Sequence, residues 1–88
     1  MKSDRQGPDV SQVADAIRRH LAAHPHAADT AAGIQRWWVL PACGEVSLTL
    51  VEDALAQLEA SGEIQRDEAP WSHEPVHRAA PRHRPEGL

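Results

Sequence analysis

The sequence predicts a mainly α domain: a three-helix bundle with a short C-terminal β-hairpin and a flexible proline-rich tail. Three observations predict it. Apolar residues recur at three- and four-residue steps in three separate stretches. A proline or glycine closes each stretch, as helix ends require. The short alternating, strand-like run begins only after these, at Ile64.

The first helix is expected to start near Asp9, where Asp9 and Gln12 have capping-box spacing, with Ser11 as a rival cap. Val10, Val13, Ala14, Ile17 and Leu21 then share one face. Pro25 stops this helix, because the residue before a proline is pushed out of the α region. The second helix begins at Asp29 or Thr30, both good N-caps, and carries Ala31, Ile34, Trp37 and Trp38 on one stripe until Pro41 ends it. A connector with turn residues Pro41 and Gly44 leads to the third helix. There Thr49 and Glu52 have capping-box spacing, and Leu48, Val51, Ala54, Leu55 and Leu58 form the apolar stripe. Gly62 is the expected stop, free to adopt positive φ. A second short strand around Val76 would pair with Ile64, with Trp71 folded onto the helices. Pro70, Pro75, Pro81 and Pro85 exclude a long regular element in this last part. Residues 1–8 read as a disordered leader, 9–78 as the domain and 79–88 as a flexible tail rich in proline, arginine and histidine.

The 88 residues suffice for one domain and not for two. A chain of this size buries only about 60–65% of its extended surface, so modest stability is expected. With one cysteine, Cys43, no internal disulfide can form, and the lone thiol fits a reducing compartment. No apolar run approaches the ~20 residues that a membrane span needs, and Met1 to Pro8 carries no signal-peptide core. A cytoplasmic protein with no membrane partner is the expectation.

The run Val51-x-x-Ala54-Leu55-x-x-Leu58-x-x-x-Gly62-x-Ile64, following two shorter helices, resembles the end of a winged helix-turn-helix domain. The resemblance covers roughly residues 10–66. It implies a third helix packed on the first two and a glycine turn into the first wing strand. It implies little about function, because that superfamily includes DNA binders, protein-interaction modules and structural subunits. Two features depart from the pattern: a connector longer than the tight turn of a helix-turn-helix, and a proline-rich segment in place of an ordinary wing.

Charge then separates the functions. Nine Lys and Arg stand against 13 Asp and Glu, a net charge of −4. Between Glu45 and Glu68, seven acidic residues face only Arg66, which leaves −6 on the third helix and its surroundings. A recognition helix bearing Glu52, Asp53 and Glu59 would meet phosphates with like charge. Glu52 and Asp53 also suit a helix N-terminus through its dipole. Positive charge lies elsewhere, at Arg18, Arg19, Arg36, Arg78, Arg82 and Arg84. With no Phe or Tyr, the aromatic side chains that stack on bases reduce to three tryptophans.

Candidate sites are few. Trp37 and Trp38 supply the bulk of a core without Phe or Tyr, and Trp37, at the edge of its stripe, is the better candidate for an exposed binding anchor. Val39 and Leu40 fall off the second stripe and Leu50 off the third, so they are candidates for an exposed apolar patch, framed by Glu52 and Asp53. His20 and His24 have metal-chelating spacing with His26 just beyond, but no cysteine pair or carboxylate cluster completes a site, and no metal is assigned. His73, His77 and His83 fall in the tail without fixed geometry. Cys43 has no base or oxyanion hole fixed beside it in sequence, and reads as a small semi-buried residue. No catalytic residue and no cofactor is assigned.

The expected function is a small non-catalytic protein-interaction module or accessory subunit, with a protein partner or a second copy of itself. DNA binding through the wing, the first helix and the tail is the alternative. Completion of an enzyme or metal centre on another protein is the third.

Overall fold

The computed structural model describes residues 8–68 and 73–81. The expectations for the leader, for Trp71, and for Arg82 and Arg84 in the tail lie outside these residues. The described part is mainly helical, with a small three-stranded antiparallel sheet, an arrangement compatible with helices plus a wing.

Helix α1, Val10–Ala23, opens on the expected capping box. The Gln12 backbone N–H donates to Asp9 Oδ1 at 3.0 Å, and the Asp9 N–H donates to Gln12 Oε1 at 3.0 Å. Two otherwise orphaned donors are thereby satisfied. Val13, Ala14, Ile17 and Leu21 enter the core as their spacing requires. Just beyond Pro25 lies strand β1, Ala28–Asp29, which is only two residues long and left no alternation to read in the sequence.

Helix α2 runs over 31–43 and differs from expectation in its middle. Thr30 caps it, with Oγ1 accepting from the Gly33 N–H at 3.2 Å. An α turn, Ala31–Gly33, gives way to a π-helical stretch, Ile34–Val39, before an α turn at Leu40–Cys43. Pro41 therefore does not end the helix. Proline lacks an N–H and its ring clashes with the carbonyl four residues back. In the wide turn the Leu40 N–H already reaches back five residues, to Gln35 O, so the ladder is open where Pro41 enters it. The expected long connector shrinks accordingly to 44–47. Gly44, at φ 84° and ψ −170°, closes the helix, and its N–H donates to Leu40 O at 2.9 Å.

Helix α3, Leu48–Ala60, is capped by Ser47 rather than by the expected Thr49–Glu52 box; Ser47 Oγ accepts from the Leu50 N–H at 3.1 Å. Ser47 is the first Ser, Thr, Asp or Asn after Gly44, so the helix is caught two residues earlier. Val51, Ala54, Leu55 and Leu58 are buried as expected. Leu48 is 39% exposed instead. At the other end Gly62 has φ 82°. The Gly62 N–H donates to Glu59 O at 3.0 Å and the Glu63 N–H to Leu58 O at 2.9 Å, the paired bonds of a Schellman stop.

Strands β2, Ile64–Asp67, and β3, Val76–Ala79, pair antiparallel with Ile64 opposite Ala79 and Arg66 opposite His77. β1 pairs with the other edge of β3, giving the order β1-β3-β2. Pairing continues past residue 78, through Ala79 and an Ala80 N–H that donates to Glu63 O at 3.1 Å. Alternation puts Ile64, Arg66, His77 and Ala79 on one face of the sheet, and the burial of Ile64 in the helical core shows that this face meets the helices. Val13, Ile17, Ile34, Val39, Val51 and Leu58 are the largest side chains of the fully buried centre.

Candidate functional site

The π turn decides what helix α2 shows to solvent. Widening the turn by one residue places Val39, not Trp37, in phase with Ile34. Val39 is accordingly 0% exposed, which removes it from the expected surface patch. Trp38 is 6% exposed, and its ring stacks on His20 with centroids 4.4 Å apart and planes 14° apart. Trp37 is turned out at 64% exposure, and Leu40, three residues on, is also exposed. The Arg36 guanidinium lies 5.9 Å from the Trp37 ring centroid, within cation–π range. Beside this face Arg36 and Leu40 line a shallow depression of about 270 Å³ with Gln35, Glu45 and Val46. Gln35 Nε2 donates to Val46 O at 2.7 Å, which ties the connector to α2. Leu50 is half-buried and packs against the core, so it does not join an open apolar patch.

Glu52 and Asp53 are exposed on α3, as expected. Glu52 belongs to a groove of about 430 Å³ between α3 and the hairpin. Leu48, Leu55, Ala56 and Pro75 give its apolar lining, and Glu52, Glu59, Glu74 and Arg66 its charges. His77 stands in the wall, 8% exposed, with a buried Nδ1 that has no hydrogen-bond partner among the described residues. Burial pushes its pKa below the ordinary histidine value; Glu59 and Glu52 oppose that shift and Arg66 adds to it. His77 therefore has a fixed place in β3 and does not fall in a tail without geometry. The missed signal was register: Ile64 at the start of one strand puts Arg66 and its partner His77 on the face toward the helices.

Most of the described arginines are engaged. Arg18 Nε and Nη2 donate to Glu63 Oε1 and Oε2 at 2.6 and 3.0 Å, and Nη1 to Asp15 Oδ1 at 2.6 Å. This fork holds the Glu63 carboxyl far down, at about 2, with help from the Ser61 hydroxyl at 2.7 Å. Arg78 meets Asp67 at 2.7 Å, and Arg66 lies 3.8 Å from Glu59. Arg19 lines a separate polar depression with Asp15, Gln12 and Cys43.

His20 and His24 do lie together, with ring centroids 4.8 Å apart. Among the described residues no group of three or more His, Cys, Asp or Glu is placed to hold a metal ion. Cys43 is half-buried, and its Sγ faces the Gln12 carbonyl oxygen at 3.8 Å rather than a base. No helix among the described residues is long and apolar enough to cross a membrane. A comparison with protein families, curated proteins and solved structures finds no match for this chain.

Proposed function

We propose that this chain is a small non-catalytic protein-interaction module on a winged-helix-like scaffold, docking on a protein partner or on a second copy of itself through the Trp37–Leu40 face of α2. The element order α1-β1-α2-α3-β2-β3 supports the scaffold part of this reading. The exposure of Trp37 carries the functional part. A tryptophan left in water forfeits burial that would be worth about 1.5–3 kcal/mol even for a smaller apolar side chain, and tryptophan is enriched among interface hot spots. The Arg36 guanidinium, 5.9 Å from the ring centroid, adds a cation beside this anchor. Sedimentation velocity and chemical cross-linking, on the native chain and on Trp37→Ala, test the reading. Association that disappears in the variant supports it; a strict monomer that cross-links to nothing in either form counts against it.

DNA binding through the hairpin, α1 and the tail is the second reading, favoured by Arg78, which the register puts on the hairpin face away from the helices. The ion pairs of Arg18 with Glu63 and of Arg78 with Asp67 weigh against it, since both carboxylates would have to be displaced before a phosphate is met. Gel retardation at low salt that is lost on neutralising Arg78, Arg82 and Arg84 would reverse this ranking.

A further inference from the structure

The depression beside Trp37 carries one charge of each sign, Arg36 on α2 and Glu45 on the connector. We propose that a second copy of this chain covers this face about a two-fold axis, with Trp37 of each copy entering the other's depression and each Arg36 meeting the other's Glu45. The proposal rests on the α2 face proposed above and commits it to one partner.

Three observations carry it. The first is the placing of charge. Arg36 and Glu45 line one depression, yet neither makes an ion pair with a described residue, and the recorded neighbour of the Arg36 guanidinium is the Trp37 ring. A two-fold axis repeats every contact with the roles exchanged, so a patch holding both signs at separate points complements its own copy. The second is the contrast with the rest of the surface. The chain carries −4 overall and −6 over Glu45–Glu68, so two copies repel each other across most approaches, above all across α3. Around the depression Arg36 and Glu45 balance, and a like-charged copy is tolerated there. A strongly acidic or basic partner finds no net charge at this place to select it. The third is shape. Trp37, turned out to solvent, stands beside a depression of about 270 Å³ whose apolar lining is Leu40 and Val46. Each copy thus supplies both a bulky anchor and a hollow, and hot-spot residues tend to pair across an interface. The 2.7 Å bond from Gln35 to Val46 O ties the connector to α2, so the place of Glu45 is set before association and less freedom is lost on docking. A face built on one helix and a short connector is small, and small interfaces are weak, so a concentration-dependent dimer is expected.

The test is sedimentation velocity of the full chain over a wide range of concentration. The native chain is expected to pass from monomer to dimer as concentration rises. Arg36→Glu and Glu45→Arg, each alone, are expected to weaken the dimer about tenfold or more, because the axis turns each reversal into two like-charge contacts. Glu45→Arg leaves both Trp37 and its Arg36 neighbour in place, so its effect isolates the charge pairing. The two reversals combined in one chain restore opposite signs, and dimerisation is expected to return. An equimolar mixture of the two single variants, one of them fluorescein-labelled, is expected to form a mixed dimer although neither variant pairs with itself. That rescue belongs to an interface in which each copy offers both residues to the other. Arg36 and Glu45 are exposed, so the variants keep the fold, which circular dichroism verifies. A native chain that stays monomeric at every concentration, a dimer indifferent to the reversals, or single reversals that the mixture fails to rescue would each overturn the proposal. A dimer lost in Trp37→Ala but untouched by the reversals keeps the α2 face and removes this pairing, whereas a dimer that persists in Trp37→Ala removes both. A monomer that cross-links in cells through Trp37 to a different protein keeps the face and overturns the second copy as its occupant.

Discussion

Trp37 and Trp38 are adjacent in the chain and opposite in environment, 64% and 6% exposed. The π turn holds them so, with Val39 completing the buried side. Truncating them should therefore give opposite results. Trp38→Ala removes a core side chain and its stack on His20, and is expected to cost about 3–5 kcal/mol in urea unfolding. Trp37→Ala is expected to stay within about 1 kcal/mol of the native chain, the loss being at most an exposed cation–π contact with Arg36. Equal losses at the two positions would show that the widened turn is not what separates them.

The two positive-φ glycines should also differ. Gly62, at φ 82°, closes α3 within a Schellman pair, where an L residue is strained by about 1 kcal/mol. Gly44 combines φ 84° with ψ −170°, a region open essentially to glycine, where the strain is of order 1–3 kcal/mol. Neither added Cβ meets another atom within 4 Å, so backbone strain alone decides. Denaturant midpoints should fall for both Ala variants, and further for Gly44→Ala than for Gly62→Ala.

Several elements that rest on one local rule were legible in the sequence, although the Ser47 cap of α3, two residues before the expected box, was not. The Asp9–Gln12 box, the Gly62 stop and the pairing of Ile64 with the Val76 strand each depend on a few neighbouring residues. Helix α2 escaped because its period changes in the middle. A fixed 3.6-residue step from Ile34 assigns Trp37 to the core and Val39 to solvent, whereas the wide turn reverses both. Pro41 was a visible signal, but it fitted a helix end as well as a helix opened to admit it. The groove escaped for another reason. It needs Glu52 and Glu59 from α3 and His77 from β3, and their meeting depends on how the hairpin folds back. Only the face occupied by Ile64 hinted at it.

The Arg18–Glu63 fork ties α1 to the turn after α3, and its contribution should appear in the acid limb of the stability curve. The folded Glu63 carboxyl is held at about 2, below its ordinary value of 4.5. At and above neutral pH its contribution is fully present. As pH falls from about 4.5 toward 2, the unfolded chain takes up a proton that the folded chain resists, and the contribution is lost. Both side chains are substantially exposed, so the effect should be small and should weaken with salt. Glu63→Gln is expected to flatten the urea-midpoint curve in that window and to leave its shape near neutral pH unchanged. An unaltered acid limb would remove the fork from the account of stability.

A separate window near neutrality belongs to the histidines. Burial lowers the pKa of His77, against the pull of Glu59 and Glu52 and with the push of Arg66. Burial likewise lowers that of His20, with the neighbouring His24 adding to it. Well above about 6.5, the ordinary histidine value, both rings are neutral whether the chain is folded or not, and the fold loses nothing. Below it, the unfolded chain binds protons that the two folded sites refuse, so stability falls as pH drops from 6.5 toward the folded values. Acidification from pH 7.5 to 5.5 is therefore expected to lower the urea midpoint. This happens well above the range in which Glu63 titrates, so the two effects can be read from one curve. His77→Gln and His20→Gln should each reduce the drop, and together should remove most of it. If the double variant lost stability over this interval as steeply as the native chain, the proton uptake would have to come from another histidine.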